Sequence, residues 1–184
     1  MHYTLLSMKI FNKILIAVIT LITLAGCLLL YGLYINPKSP LGHAYYNNGQ
    51  DDISIRYYRP SKKERKIFGN KKEGALVPYG SYWRLGANLT TKMETKTTIS
   101  FAGRKLAAGT YGLYAYPNKE NWIVVVHQKT GGYSFAEPDE SGVIMKINAA
   151  SQSLDKSLEK FTIDFIDNYL RIRWDTTQVL IPIN

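Results

Sequence analysis

Residues 59–88 read RPSKKERKIFGNKKEGALVPYGSYWRLGAN, and this stretch has two halves of different chemistry. The first half is basic, with six lysines and arginines against two glutamates over residues 62–73. The second half mixes aromatic rings with the turn formers Pro78, Gly80 and Gly86. We predict a short strand near Tyr82–Leu85. Because side chains alternate along a strand, Trp83 should enter the core while Arg84 faces the loop.

The segments on either side of this stretch have the pattern of strands. Residues 53–58 alternate apolar and polar side chains with a period of two, which predicts a strand with one buried face. Further strands are expected at 96–101, 110–116, 122–127, 143–148, 161–166, 169–174 and 179–183. Short, closely spaced strands separated by turns predict an all-β fold, an antiparallel β-sandwich of about nine strands.

Two local features qualify this pattern. Gly109 and Gly112 lie inside a predicted strand, which indicates a bulge or the close approach of another backbone. Leu154 and Leu158 would share one face of a helix, so one or two helical turns are expected over Ser153–Lys160. Asp167-Asn168 is predicted to turn a hairpin between the strands on either side.

Several of these motifs resemble one known family. The segments RPS, IFG, LVPYG and WRLGAN, then LAAGTYGLY at 106–114 and WDTT at 174–177, resemble the signature of the domain of unknown function 2911 (DUF2911). The match covers Ser39 to Ile183. The resemblance implies a secreted protein of Bacteroidetes-type bacteria and a shared fold, but no established activity. Leu89 stands where the family commonly has an acidic residue, and Gly131–Ala149 also departs from its pattern.

An apolar segment precedes the domain. Residues 14–35 read ILIAVITLITLAGCLLLYGLYI, 22 residues without a charge. As a helix they span roughly 33 Å, enough for about 30 Å of hydrocarbon. Lys9 and Lys13 precede them, and the positive-inside rule keeps that end in the cytoplasm. We therefore predict a cytoplasmic N-terminus at 1–13, a transmembrane signal-anchor helix at 14–35, a linker at 36–40 and an extracytoplasmic domain at 41–184. The protein should be a single-pass protein of the bacterial cell membrane with its domain on the periplasmic side.

A lipid anchor is the alternative to a spanning helix. Leu24-Ala25-Gly26-Cys27 fits the lipobox of bacterial lipoproteins, in which the cysteine is lipidated and becomes the mature N-terminus. The apolar run continues after Cys27, whereas a lipoprotein usually turns polar there. The uncleaved helix is therefore preferred, and either anchor places the domain outside the cytoplasmic membrane.

Four residues are candidates for a ligand site: Arg59, Arg84, Asn88 and His127. Arginine makes bidentate contacts to carboxylate or phosphate, although Arg84 and Asn88 could instead hold the irregular loop by hydrogen bonds. His127 ends a predicted strand and could act as a base, but no metal-binding spacing or nucleophile motif accompanies it. No catalytic residue, metal or cofactor is predicted.

The net charge of +9 permits an anionic partner. Anionic lipid or polysaccharide could bind the basic run through Lys62, Lys63, Arg65 and Lys66, and the alternative is a solvated loop. Nucleic acid is not expected, because no recognition helix or stacking motif is present, and no protein partner is indicated.

The sequence therefore predicts a membrane-anchored, non-enzymatic binding or envelope-interaction domain. The alternative is a hydrolytic enzyme acting on the cell envelope, with a cleft near the Arg59–Asn88 loop. Such an enzyme needs paired carboxylates or an activated nucleophile, and Leu89 counts against it.

Overall fold

The structure is a computed structural model, and it describes residues 2–32, 38–132 and 136–183. Side chains are described from Ile10 onward. The chain forms two compact units, Met1–Lys38 and Ser39–Asn184, which are described separately below.

The first unit is one helix, α1 (His2–Leu30). Its segment Ile10–Leu30 is long and apolar enough to cross a membrane, and none of it is buried. Thr20 and Thr23 each donate their hydroxyl to the carbonyl four residues earlier, at 2.9 Å, so these polar groups are satisfied within the helix. An N-terminal helix of this kind suits a membrane anchor or a signal sequence. Residues 33–35 of the predicted span and 36–37 of the predicted linker lie outside the described residues.

The second unit contains eleven described strands: β1 (Leu41–Asn47), β2 (Asp52–Tyr58), β3 (Phe68–Gly69), β4 (Val77–Pro78), β5 (Thr91–Thr95), β6 (Ile99–Phe101), β7 (Arg104–Leu106), β8 (Gly109–Pro117), β9 (Asn121–His127), β10 (Val143–Ile166) and β11 (Tyr169–Pro182). Seven of them form one antiparallel sheet in the order β1-β2-β5-β8-β9-β10-β11. The short strands pair separately, β3 with β4 in parallel and β6 with β7 antiparallel.

The large sheet curls so that its two ends face each other. Tyr57 on β2 donates its hydroxyl to the Ile163 carbonyl on β10 at 2.8 Å. The rings of Tyr46 on β1 and Phe165 on β10 lie 5.3 Å apart. These contacts close the core between β1–β2 and the second half of β10. The predicted antiparallel β-sandwich is confirmed, and its layers belong to one continuous sheet.

Five aromatic side chains fill the centre of this sandwich: Phe68, Trp83, Trp122, Phe161 and Trp174. They come from β3, from three strands of the large sheet and from residues 79–90 between β4 and β5, which we call the signature loop. Alternating residues of β2 and β5 surround them, which is the pattern expected of strands with one face on the core, whereas β8 and β9 are buried on both faces over residues 111–115 and 124–127.

The predicted helical turns over Ser153–Lys160 are wrong, because this segment is part of β10. It pairs with β11 through two register shifts, between Ser153 and Leu158 and between Leu158 and Thr162. Extra residues on one strand form bulges and interrupt the period of two. The spacing of Leu154 and Leu158 therefore matches that of a helix by coincidence. Pairing with β11 makes this segment a strand.

Two strand predictions also need correction. Tyr82–Leu85 does not form a strand, because only Trp83 pairs there, as an isolated bridge to Ala115. The strand expected at 96–101 is divided: β5 ends at Thr95, and β6 begins at Ile99. The hairpin across Asp167-Asn168 is confirmed, with Ile166 paired to Tyr169 and Asp167 in a left-handed conformation at φ 48°.

Candidate functional site

The signature loop is held against the sheet by its own backbone. Trp83 exchanges two hydrogen bonds of 2.8 Å with Ala115 of β8. Gly86 has φ 133°, and a Cβ atom there would lie 2.6 Å from the Tyr58 carbonyl oxygen. Glycine is required at such a position, both for its backbone conformation and for its lack of a side chain. The loop therefore lies directly on the end of β2.

Arg84 and Asn88 lie together in this loop. The Arg84 guanidinium donates to the Asn88 carbonyl oxygen at 3.5 Å, a long hydrogen bond. Asn88 is exposed and adopts a left-handed conformation, with φ 59°. Deeper in the loop, the Thr91 hydroxyl donates to the Leu85 carbonyl at 2.6 Å. These contacts fit the expectation that Arg84 faces the loop and holds its backbone.

Arg59 joins the end of β2 to β10. Its guanidinium donates to the Phe161 carbonyl at 3.3 Å and to the Thr162 hydroxyl at 3.1 Å. Its side-chain stem lies over Gly42, where a Cβ atom would be 2.6 Å from the Arg59 Cδ. These contacts give Arg59 a role in holding the curled sheet closed.

His127 is buried, and both of its ring nitrogens contact the segment that follows β9. Nδ1 accepts a hydrogen bond from the Lys129 amide at 2.8 Å, so Nε2 carries the proton and donates to the Asp139 carbonyl at 2.8 Å. Asp139 in turn accepts from the Ser141 amide, and this contact lowers the pKa of its carboxyl. A histidine with both nitrogens engaged in this way is an anchor for its loop. Of the four predicted site residues, the contacts join Arg84 and Asn88, while Arg59 and His127 contact other segments.

The basic run folds back on nearby groups. Lys62 pairs with Asp175 and also contacts the Ser157 hydroxyl at 3.2 Å, while Lys66 pairs with Glu73. Arg65 donates to the carbonyls of Ser61 and Lys62. The exposed Lys66–Glu73 pair contributes little to stability, whereas the Lys62–Asp175 pair is half-buried. These contacts engage Lys62, Arg65 and Lys66, three of the four cations that the sequence offers for a polyanion.

A different set of cations lies on the outer face of the large sheet. Cross-strand register places His43 opposite Arg56, Arg56 opposite Lys92, and Lys92 opposite Gly112. Gly112 in turn lies opposite His127. Directly opposite residues project from the same face of a sheet, so these five positions form one row across β1, β2, β5, β8 and β9. We call His43, Arg56 and Lys92 the cationic row.

A second row lies beside it. Tyr45, Ser54 and Glu94 occupy the corresponding positions two residues along β1, β2 and β5. Together the rows line a cavity of about 260 Å³, with Ile55 completing its wall: His43, Tyr45, Ser54, Ile55, Arg56, Lys92 and Glu94. Tyr45 is 71% exposed, and its ring is parallel to that of His43, with centroids 6.0 Å apart. This outer-face cavity therefore combines two permanent cations, one carboxylate and two flat rings.

Arg56 and Lys92 are the two permanent cations of this cavity. Among residues 38–132 and 136–183, no ion pair joins Arg56 or Lys92 to a carboxylate. Glu94 lies in the neighbouring row, opposite Ser54. Like charges directly opposite each other on neighbouring strands destabilise a sheet, by roughly 0.2–1 kcal/mol per pair. The Arg56–Lys92 pair therefore lowers the stability of the sheet.

The cavity closes at one end of the cationic row. A Cβ atom on Gly112 would overlap the Lys129 carbonyl oxygen and touch the Thr90 methyl group. The prediction that another backbone approaches closely at Gly112 is therefore confirmed. On this side a wall of main chain bounds the row, and on the other side lies β1, the edge strand of the sheet.

Sequence patterns contained only part of this site. The alternation over 53–58 already placed Arg56 on the polar side of its strand. The strands β1 and β5 were not predicted, so His43, Tyr45 and Lys92 could not be placed beside it. The sequence of β1, Leu41–Asn47, gives no such signal, because the apolar residues Leu41 and Tyr45 are exposed.

Comparisons with known proteins give one match. The profile of a family described as "Protein of unknown function (DUF2911)" matches residues 39–183, which cover nearly the whole β-sheet unit. No curated protein and no solved structure matches the chain.

Proposed function

Because the chain belongs to the DUF2911 family of proteins of unknown function, we propose its function from its own structure. It is a β-sandwich domain that an N-terminal helix anchors to a membrane, and it acts as a binding module outside the cytoplasm. The following paragraphs give the support for the anchor, the orientation and the binding role.

The observation that carries the anchor is the apolar segment Ile10–Leu30. It is entirely exposed within its unit, although large apolar surfaces are rare on soluble monomers. Its backbone is hydrogen-bonded as a helix, which is the form that hydrocarbon demands. A lipid bilayer supplies the apolar surroundings that this segment lacks within its own unit.

Orientation follows from charge. Lys9 directly precedes the apolar segment Ile10–Leu30, and Lys13 lies in its first turn. The positive-inside rule keeps them in the cytoplasm and places the β-sandwich on the opposite side, which is the periplasmic side of a bacterial membrane.

A lipidated Cys27 is the alternative anchor. Cys27 is exposed, and α1 continues past it to Leu30 without a break. Processing at Cys27 favours a polar, extended segment after the cysteine. The continuous helix therefore supports an uncleaved anchor.

Binding is better supported than hydrolysis. His127 uses both ring nitrogens to hold its loop, and Arg59 and Arg84 contact backbone carbonyls. The outer-face cavity offers two cations that form no ion pair with any described residue, and Glu94 is the one carboxylate among its lining residues. Glycoside hydrolysis usually needs two carboxylates across the substrate. These arrangements favour holding an anionic ligand over cleaving it.

Protease access tests the anchor and its orientation. The full chain, with an epitope tag at its N-terminus, is expressed in a bacterium, and protease is added outside intact spheroplasts. The β-sandwich should be digested and the tag retained on a membrane-bound fragment. Detergent-lysed cells serve as the control, in which the tag is lost as well. Protection of the β-sandwich in intact spheroplasts would overturn the proposal.

Mass spectrometry of the mature N-terminus separates the two anchors. The helix anchor predicts an unprocessed chain, and Cys27→Ala should leave membrane association unchanged. A diacylated Cys27 at the mature N-terminus would show that a lipid, and not an uncleaved helix, is the anchor.

A further inference from the structure

We propose that the outer-face cavity binds an anionic sugar, a ligand with one carboxylate or phosphate group on a hydroxylated ring. This inference deepens the proposed binding function by assigning its site and its ligand class. The cationic row holds the acidic group, Tyr45 contacts the sugar ring, and Ser54 and Glu94 hydrogen-bond to hydroxyl groups.

The acidic group is held by Arg56 and Lys92 together. Directly opposite residues on neighbouring strands have Cβ atoms about 4.5–5.5 Å apart, so one carboxylate or phosphate can accept from both side chains. Arginine offers a planar fork that matches such a group, and lysine adds a compact charge. His43 lies next in the row and supplies a further ring nitrogen. A bound anion would also relieve the repulsion between the two cations.

Tyr45 is the reason for assigning a sugar ring to the ligand. Its side chain is the most exposed aromatic among the described residues of the sheet unit, at 71%. Burying the apolar face of so exposed a ring against a ligand is favourable, and the hydroxyl can remain in water. The C–H face of a sugar ring supplies such a cover without requiring a fully apolar ligand.

Glu94 restricts the charge of the ligand. A carboxylate repels a second acidic group, whereas it readily accepts hydrogen bonds from hydroxyls. Ser54, directly opposite Glu94, can both donate and accept. The second row of the cavity therefore favours hydroxyl groups beside the single acid, and it disfavours polyphosphates.

The dimensions agree with one sugar ring. The cavity measures about 260 Å³, just below the range of about 300–1,000 Å³ typical of sites for drug-sized ligands. Its row is closed at Gly112 by the Lys129 carbonyl and the Thr90 methyl group. Along this row the ligand can extend toward the edge strand β1, where a longer saccharide could continue.

Calorimetry on the full chain tests the ligand class. The protein is kept in a non-ionic polyoxyethylene detergent, which contains neither sugar nor phosphate, and is titrated with glucuronate, glucose 6-phosphate, glucose and inorganic phosphate. At least one acidic sugar should bind ten-fold or more tightly than glucose, and the preferred one identifies the acidic group as carboxylate or phosphate. Inorganic phosphate that binds as tightly as the best acidic sugar would overturn the sugar assignment. Failure of both acidic sugars to bind would overturn the site.

Matched variants locate the binding. Arg56→Gln and Lys92→Gln should each weaken the acidic sugar ten-fold or more, while the melting temperature stays the same or rises because the like-charge pair is gone. Tyr45→Ala should weaken the sugar and leave inorganic phosphate unchanged. Lys105→Gln, at an exposed position of β7, is the control and should bind normally. Normal binding by both Arg56→Gln and Lys92→Gln would refute the site. Because this assay uses purified protein, its outcome is independent of the protease experiment on orientation.

Discussion

Trp83 is the residue whose loss should damage the domain most clearly. It is 7% exposed and lies in the signature loop, outside any regular strand. Its ring contacts four others, with centroids 5.0 to 5.9 Å away: Phe68, Trp122, Phe161 and Trp174. Trp83→Ala therefore removes the ring that joins the loop to both layers of the sandwich.

The expected cost follows from this burial. Replacing a buried tryptophan by alanine destabilises a protein by about 3–5 kcal/mol, and aromatic pairs add roughly 0.5–1.5 kcal/mol each where they are well packed. The two backbone hydrogen bonds to Ala115 survive the change, so we expect a loss of about 3–5 kcal/mol in the free energy of unfolding. Domains of about 150 residues lose roughly 3 °C per kcal/mol, which predicts a fall of about 10–15 °C in the melting temperature.

Urea and thermal unfolding of a chain truncated to residues 39–184 measure this directly. Trp83→Phe keeps a ring in the same place and should cost less than half as much. Tyr45→Ala, at an exposed aromatic, is the control and should change stability by less than about 0.5 kcal/mol. A Trp83→Ala variant that unfolds within 1 kcal/mol of the parent chain would refute the claim that this ring organises the core.

Three further predictions follow from single contacts. Gly112→Ala should destabilise the domain by about 1–3 kcal/mol, because the new Cβ overlaps the Lys129 carbonyl; Gly131→Ala, with open space around it, is the matched control in the same thermal melt. Arg84→Ala should cost about 0.5–1.5 kcal/mol in urea unfolding, since its contact to the Asn88 carbonyl is long; an unchanged stability would instead indicate that Arg84 serves a ligand. Burial raises the pKa of the Tyr57 hydroxyl, so its contribution to stability is complete below pH of about 10, the unfolded value, and is lost as pH rises through the higher folded pKa. Melting temperatures at pH 8 to 11 should fall less steeply in Tyr57→Phe, which keeps the ring and cannot ionise, and an identical slope would contradict this assignment.

The sequence predicts the fold best where apolar and polar residues alternate, because that pattern shows which side chains are buried. Ile53, Ile55 and Tyr57 point inward as their spacing requires, whereas β8 and β9 are buried on both faces over their middle residues. The segment 153–160 failed because bulges in β10 remove the period of two, and only pairing with β11 makes it a strand. Trp83 was placed correctly in the core although its predicted strand was wrong, since the bridge to Ala115 aligns it as a strand would.

The candidate site was harder to predict because it depends on register. Arg56 and Lys92 are 36 positions apart in the sequence, and nothing local to either residue shows that they lie side by side. His127 was chosen as a lone histidine at a strand end, and the structure places it in the same cross-strand row as the cavity residues. Its role as a loop anchor depends on contacts to Lys129 and Asp139 that no spacing indicates.

The aromatic centre of the sandwich also affects how the domain folds. Its rings come from residues 68 to 174, so contacts across about a hundred positions must form before this centre is complete. Topologies with such distant contacts fold slowly, on the scale of milliseconds to seconds. During synthesis the core stays incomplete until β11, with Trp174, has emerged from the ribosome. For a protein exported as we propose, this delay is an advantage, because the chain remains an unfolded polymer that can thread through a membrane channel and then folds on the far side.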